Sequence, residues 1–247
     1  MKLLLTWRLA RVALHLAIGM TKSLVLFPWL DVAGRNRRIR AWSRQLLAIC
    51  NVTVQASGSH AGALDHCLVV ANHVSWLDIF VIDAVHPCRF VAKAEIRSWP
   101  ILGWLAARAG TIFISRGSKR DLRKIFQGLV DKLKDGERVG VFPEGTTAAQ
   151  GQLLPFHANL FEAAIDAGAP VQPFAVSYVD AQGRPHDSID FIGEMTFAQS
   201  MVRILCGRPV IARLECLAPI DTVGTHRREL ALAAHAAVAN SLGVATA

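Results

Sequence analysis

Short apolar runs alternate with helical patterns along the chain after Gly58, and this alternation is the strongest constraint on its fold. Buried strands are predicted at residues 68–71, 138–142 and 171–178, and helices at 76–85, 121–134, 160–167 and 225–242. Gly136 and Gly168 follow two of these helices, as glycines at helix C-termini do. The alternation favours an α/β fold, a single domain over residues 51–247 with a central mixed sheet flanked by helices.

The basic residues are concentrated near the start of the chain. Of the 27 Lys and Arg residues, nine lie within residues 1–50 beside one acid, Asp31, which leaves 18 basic and 18 acidic residues for 51–247. The whole net charge of +8 therefore belongs to the first fifth of the chain. Those charges alternate with Leu, Val and Trp, which favours an anionic membrane surface, and not nucleic acid, as the partner.

Residues 1–30 are apolar, but their longest uncharged stretch, residues 12–21, is too short to span a bilayer of about 30 Å. On a helix, one side carries a basic stripe of Arg8, Arg11, His15, Gly19 and Lys22. The opposite side carries Leu9, Ala13, Ala17, Met20 and Leu24. The pattern predicts a helix in the membrane interface, ended by Pro28 and followed by a helix at 35–49. Residues 1–50 would then form a membrane-associating hairpin.

Two alternatives remain for this segment: a helix packed on the domain, and a single tilted span. A signal peptide is disfavoured because Arg8 and Arg11 interrupt the apolar region.

The five cysteines and nine histidines are dispersed. Because they form no Cys-x-x-Cys, His-x-x-His or His-x3-His pair, neither a disulfide framework nor a metal site is predicted. Unpaired cysteines indicate a reducing, cytoplasmic environment. No glycine-rich nucleotide loop occurs either, so we expect no cofactor.

His73 follows the strand predicted at 68–71, and Asp78 lies five residues further on. A neutral histidine is suited to take a proton from an attacking hydroxyl group, and such a base typically contributes about 10²–10⁴-fold. A carboxylate at Asp78 can accept the other ring N–H and stabilise the imidazolium. Ser75-x-x-Asp78 is also a capping-box pattern with Ser75 as N-cap, so Asp78 has a purely structural interpretation too. Ser75 lacks the Gly-x-Ser-x-Gly setting of a serine nucleophile, which favours direct attack by an acceptor hydroxyl.

Four blocks occur in order: residues 72–78 (NHVSWLD), 110–116 (GTIFISR), 142–146 (FPEGT) and 171–176 (VQPFAV). Together they resemble the glycerolipid acyltransferase superfamily, most of all its 1-acylglycerol-3-phosphate (lysophosphatidic acid) acyltransferases, over residues 52–179. The resemblance implies transfer of a fatty acyl group from acyl-CoA or acyl-carrier protein to the sn-2 hydroxyl of 1-acylglycerol-3-phosphate, giving phosphatidic acid. It implies His73 as general base and Asp78 as its partner. From the N-terminal segment and the unpaired cysteines we expect a location on the cytoplasmic face of the inner membrane.

The remaining blocks supply candidate substrate-binding residues. Arg116 follows a β-rich run at 111–114, where a guanidinium can hold a phosphate through two N–H donors. Glu144 and Thr146 resemble the family's acceptor-binding block, in which Glu144 would bind a glycerol hydroxyl and Gly145 would let backbone approach the ligand. Lys93 is a further candidate for contacting phosphate or the donor. Each also has an ordinary interpretation, as a surface cation or part of a turn.

Two positions depart from the family pattern. Thr147 stands where members often carry a basic residue, and His157 stands where they often carry the lysine of a Phe-Lys-x-Gly segment. A lyso-ornithine-lipid acyltransferase is therefore the close competitor. A lipid hydrolase, which would use water as acceptor, and a catalytically silent lipid-binding protein are the alternatives from other classes.

Overall fold

The chain begins with a helical hairpin. The computed structural model describes residues 2–58, 64–114 and 119–244, without the side chains of residues 2 and 119–125. Helix α1 spans Lys2–Val25, a 3₁₀ turn at Phe27–Trp29 contains Pro28, and helix α2 spans Val32–Ile49. Asp31 caps α2 by accepting a hydrogen bond from the Gly34 N–H at 2.7 Å. The two predicted helices are thus confirmed.

His15 and Trp42 hold the two helices together. Their rings stack with centroids 4.6 Å apart. The His15 Nε2 lies 3.0 Å from the Trp42 carbonyl oxygen, and the Trp42 indole N–H donates to the His15 carbonyl at 3.3 Å. A polar contact thus joins the two helices, and it satisfies polar groups of both residues.

A mixed seven-stranded sheet forms the centre of the domain, as predicted. Its strands are β1 (Val52–Ser57), β2 (Cys67–Ala71), β3 (Arg89–Lys93), β4 (Ile112–Ile114), β5 (Arg138–Val141), β6 (Val171–Val179) and β7 (Val210–Cys216). Their spatial order is β1-β7-β6-β2-β5-β3-β4, and the β6–β7 pair alone is antiparallel within the described chain. Every residue of β2 is buried, which explains its unbroken apolar sequence.

Helices cover both faces of the sheet. They are α3 (Leu77–Asp83), α4 (Leu102–Arg108), α5 (Lys119–Lys134), α6 (Glu162–Ala167), α7 (Phe197–Cys206) and α8 (Arg227–Leu242). One apolar core joins one face to α2, α3 and α7, and a second joins the other face to α5, α6 and α8. The predicted flanking helices are therefore confirmed, with 160–167 divided into a 3₁₀ turn at Ala158–Phe161 and α6.

Sequence patterns missed β1, β3, β7, α4 and α7. In β7, buried residues alternate with outward polar ones such as Arg213 and Glu215. No continuous apolar run therefore indicates the strand. Strand β1 lies at the sheet edge and is mostly exposed beyond Val52.

Strands β2, β3, β4, β5 and β6 run parallel to one another, so their carboxyl ends lie along one edge of the sheet. The loops that follow these ends carry the blocks singled out in the sequence. Ligands of open α/β sheets bind at such edges.

Candidate active site

His73 lies in the loop between β2 and α3, with its ring at the carboxyl edge of the sheet. Its Nδ1 is 2.8 Å from the Asp78 Oδ2, and its side chain is 19% exposed. A carboxylate accepts, so we assign the proton to Nδ1 and leave Nε2 as the acceptor. Within the described chain Nε2 has no hydrogen-bond partner. The predicted pairing of His73 with Asp78 is present in the structure.

Asp78 also organises the start of α3. It is fully buried, and its Oδ2 accepts the N–H groups of Val74 at 2.7 Å and Ser75 at 2.9 Å. Its structural and chemical interpretations are therefore compatible, because one carboxylate does both. The predicted N-cap at Ser75 is wrong: the N-cap is Trp76, without a side-chain cap bond, and Asp78 satisfies the loop N–H groups instead.

Tyr178 is a member of this site that the sequence patterns missed. Its hydroxyl donates to the Asp78 Oδ1 at 2.6 Å, and both residues are fully buried. Burial, and then the neighbouring Asp78 charge, raises the pKa of Tyr178 well above its ordinary value. A signal did exist in the sequence, because the chain has one tyrosine and it stands near the end of an apolar strand.

Phe142 forms the wall behind the imidazole. Its ring stacks on His73 with centroids 4.0 Å apart and an 11° interplanar angle, and Phe90 stacks on Phe142 with centroids 5.7 Å apart. These contacts restrict rotation of the His73 ring and keep water from one of its faces.

Glu144 joins the His73 loop to the loop after β5. Its Oε1 accepts the His73 backbone N–H at 2.7 Å, and its Oε2 accepts the Leu154 N–H at 2.8 Å. The residue is 4% exposed, and burial raises the pKa of its carboxyl above the ordinary value, opposed by the two N–H donors. Each carboxylate oxygen thus has a backbone partner, while the predicted contact to an acceptor hydroxyl stays a prediction.

The loop after Glu144 presents little charge. Gly145 has φ +71° and donates to the Phe142 carbonyl at 3.1 Å, so a residue without Cβ suits this turn. Thr146 is exposed, whereas Thr147 donates its hydroxyl to the Phe191 carbonyl. The His157 ring lies 3.4 Å from where a Cβ on Gly145 would stand.

The two predicted cations have different outcomes. Lys93 ends β3, is exposed, and pairs in register with Ile114, the last residue of β4. It therefore lies at the same sheet edge as His73. Arg116 lies outside the described residues, so its role stays a prediction.

An apolar cavity of about 270 Å³ lies between the hairpin and the domain. One face of α3 lines it, with the N-cap Trp76 followed by Ile79, Phe80 and Asp83 along about 10 Å of helix axis. Phe90 contributes to the same lining. Because Phe90 stacks on Phe142 and Phe142 stacks on His73, the cavity adjoins the wall of the site.

The outer side of α1 is apolar and exposed. Trp7 and Leu14 are about 60% exposed and Leu3 nearly 90%, as is Trp29 in the 3₁₀ turn that follows. By length and composition alone, the helical stretch Leu3–Trp29 is long and apolar enough to cross a membrane.

The structure corrects the predicted basic stripe of α1, because part of it faces the protein. Arg11 and Lys22 are exposed, but His15 and Gly19 are buried against α2. Arg8 donates to the Leu205 carbonyl of α7 at 2.5 Å. The stripe therefore contacts protein at Arg8, His15 and Gly19. The Leu205 and Trp42 carbonyl oxygens lie within hydrogen-bond distance of the Arg8 and His15 side chains.

Comparison with known proteins identifies the family. The Acyltransferase family model matches residues 53–177. The chain is 41% identical over 232 residues to a lyso-ornithine lipid O-acyltransferase of Pseudomonas aeruginosa, covering 93% of this chain and 88% of that protein. It is 44% identical over 151 residues to a 1-acyl-sn-glycerol-3-phosphate acyltransferase of Neisseria gonorrhoeae, covering 61% and 59%.

A solved structure has the same fold. The 1-acyl-sn-glycerophosphate (LPA) acyltransferase PlsC from Thermotoga maritima superposes with a TM-score of 0.72 over 98% of this chain and 94% of that one, at 22% identity. With the sequence matches and the His73–Asp78 pair at the sheet edge, the conclusion is direct. This chain belongs to the acyltransferase family, as a glycerolipid acyltransferase of the lysophosphatidate and lyso-ornithine-lipid type.

Proposed function

We propose that this protein transfers a fatty acyl group from a thioester, acyl-CoA or acyl-carrier protein, to the hydroxyl of a lysolipid, with His73 as general base. The His73 Nε2 takes the hydroxyl proton as the oxygen attacks the thioester carbonyl. When the tetrahedral intermediate collapses, the C–S bond breaks and the imidazolium returns the proton to the departing thiolate. An ester and a free thiol result, and no covalent acyl-enzyme forms.

One observation carries this proposal: the 2.8 Å contact between His73 Nδ1 and the buried Asp78. It fixes the ring so that Nε2 is the acceptor, and the carboxylate stabilises the imidazolium that forms. Because the Phe142 stack limits ring rotation, the base is oriented before substrate arrives.

The apolar cavity supports a site for a fatty acyl chain. Its lining along α3 begins at Trp76, beside the His73 loop, and leads away beneath the hairpin. Burying each methylene there contributes about 0.8 kcal/mol, so a long chain gains most of its binding energy from this surface.

Two acceptors are candidates within the proposal. The sequence resemblance favours 1-acylglycerol-3-phosphate, as do relatives such as the Neisseria protein. Lyso-ornithine lipid is favoured by the more extensive matches to proteins of that name in Pseudomonas aeruginosa and in Rhizobium meliloti, the latter 38% identical over 71% of this chain. The loop chemistry points the same way, because Thr147 binds a protein carbonyl and supplies no cation for a phosphate. We therefore rank lyso-ornithine lipid first.

A competition assay tests the acceptor. Purified protein in detergent is given labelled acyl-CoA or acyl-carrier protein with equimolar lyso-ornithine lipid, 1-acylglycerol-3-phosphate and lysophosphatidylcholine. Lyso-ornithine lipid should be acylated at least tenfold faster than the others. Preferential acylation of 1-acylglycerol-3-phosphate would reverse the ranking, and release of free fatty acid without acceptor would indicate a hydrolase.

Replacing the base tests the mechanism. His73→Ala should lower kcat by about 10³-fold or more, because the proton then has no acceptor at the reacting oxygen. His235→Ala is the matched control, since this histidine packs edge-on against Phe156 in the α8 face of the domain. Turnover of His73→Ala within tenfold of the parent would rule His73 out as the base.

The exposed apolar side of α1 supports a location at a membrane. We propose that the hairpin lies in the interfacial layer of the inner membrane, with the domain on its cytoplasmic face, so that the mouth of the site meets lipid substrate.

A further inference from the structure

We infer that Tyr178 is a positioning residue for acyl transfer: it holds Asp78 in the orientation that serves His73 and sets how strongly that carboxylate attracts the imidazolium proton. The inference rests on the proposed function, because it concerns the same base. It extends the site from a His–Asp pair to a Tyr–Asp–His chain of hydrogen bonds.

The hydrogen bonds to Asp78 are divided unequally between its two oxygens. Oδ2 accepts three, from the His73 ring and the Val74 and Ser75 N–H groups. Within the described chain, the Tyr178 hydroxyl is the partner of Oδ1, at 2.6 Å. Without it, a fully buried carboxylate oxygen would have no donor, and the carboxylate would be free to rotate away from His73.

Backbone hydrogen bonds along one edge of its strand fix the position of Tyr178. Its backbone N–H donates to the Gln150 Oε1 at 2.6 Å, and its carbonyl accepts the His186 N–H at 2.9 Å. Two residues earlier, the Val176 backbone makes paired hydrogen bonds with the Asn72 side chain, next to His73. Three hydrogen bonds, two at Asn72 and one at Asp78, therefore join the strand to the catalytic segment, and the phenol is held where Asp78 needs a donor.

The charges around His73 determine the direction of the expected effect. Among the described side chains that contact its loop, the titratable groups are Asp78, Glu144 and Tyr178. Burial keeps the Tyr178 hydroxyl protonated through the range of an activity assay, so it acts only as a donor. A donor on Oδ1 draws charge away from Oδ2 and weakens its attraction for the imidazolium.

Removing the hydroxyl should therefore favour the imidazolium, which is inactive as a base. For Tyr178→Phe we expect kcat to fall about 10- to 100-fold, with KM for acceptor and donor within threefold. The acid limb of the kcat profile should move to higher pH by several tenths of a unit. Phe174→Leu is the matched control, because Phe174 is fully buried on the same face of β6, four residues earlier, and its phenyl ring has no donor for Asp78. Its acid limb should stay in place even if its stability falls.

The single tyrosine of the chain allows a second test that does not depend on the folding of a variant. Growth on 3-fluorotyrosine labels Tyr178 alone, and fluorine makes the phenol a stronger donor. The acid limb should then move to lower pH, opposite to Tyr178→Phe. The one ¹⁹F resonance should show no ionisation of the phenol between pH 5 and 9, and it should shift when Asp78→Asn is introduced.

The outcomes separate this inference from the proposed function. If His73→Ala is inactive while Tyr178→Phe and fluorotyrosine both leave the acid limb in place, Tyr178 has no role beyond packing. If both move the limb in the same direction, the charge argument is wrong. If His73→Ala retains activity, the proposed function fails before the inference is reached.

Discussion

Helix α5 exposes polar side chains, whereas helix α1 exposes large apolar ones. In α5, Leu129, Val130 and Leu133 are buried, whereas Gln127 and Lys134 are exposed, as in a helix that borders water. In α1, the buried side includes His15, Gly19 and Ser23 beside Val12, and the exposed side carries large apolar residues such as Trp7 and Leu14. The exposed apolar side of α1 is therefore the surface that the proposed membrane location would bury.

The largest expected effect comes from making the outer side of α1 polar. The triple change Leu3→Ser, Trp7→Ser and Leu14→Ser removes side chains worth about 1.5–3 kcal/mol each on burial, so vesicle partitioning should fall by three orders of magnitude or more. Because these residues are exposed, unfolding by urea in detergent should change by less than about 1 kcal/mol.

The matched control makes the same chemical change in α5. Leu133→Ser affects a residue with no exposed surface, and it should destabilise the fold without changing how the folded fraction partitions. Cosedimentation with anionic vesicles provides the measurement. Unchanged partitioning of the triple variant would mean that the outer side of α1 does not meet lipid.

The second largest effect concerns Asp83, which is buried beside the cavity between the hairpin and the domain. Burial raises the pKa of Asp83 to about 7, although its carboxylate accepts the Cys88 N–H. The folded state therefore keeps a proton that the unfolded chain loses near pH 4, so this group makes stability fall as pH rises from about 4 to about 7. At pH 8 the penalty is up to about 4 kcal/mol.

Asp83→Asn should flatten that dependence, because the amide oxygen can still accept the Cys88 N–H without ionising. Urea unfolding in detergent at pH 5 and pH 8 measures the difference. The variant and the parent should have similar stability at the lower pH and diverge at the higher one. Parallel stability curves would mean that Asp83 ionises freely in the folded protein.

The smallest effect compares one glycine in each helix. A Cβ on Gly19 of α1 would stand 2.5 Å from the Trp42 Nε1, whereas a Cβ on Gly128 of α5 would meet nothing within 4 Å. Gly128→Ala should stabilise the protein by up to about 1 kcal/mol through helix propensity. Gly19→Ala should destabilise it by about 1 kcal/mol, because displacement of the Trp42 ring exceeds that gain. Thermal unfolding in detergent measures both changes in stability. If Gly19→Ala stabilises the protein as Gly128→Ala does, α1 and α2 are not closely packed at this position.

Sequence patterns predicted helices and strands better than they predicted contacts between distant residues. Strand β2 and helix α5 were recognisable because apolar spacing follows directly from the side of the element that is buried. The pair His73 and Asp78 was also found, because the two residues are only five positions apart, in the loop after a strand and the first turn of the next helix. Tyr178 was not, since it is 100 residues from Asp78 and only the pairing of β6 with β2 brings the two together.

The sequence by itself determined the α/β alternation, the uneven charge and the acid–base pair, because each is local and depends on residues within a few turns of one another. The tertiary structure decided which side of α1 contacts protein, and it gave both oxygens of Glu144 backbone partners. It also joined Tyr178 to Asp78. These depend on the geometry between distant segments, where a buried polar group takes the partner that folding brings within 3 Å.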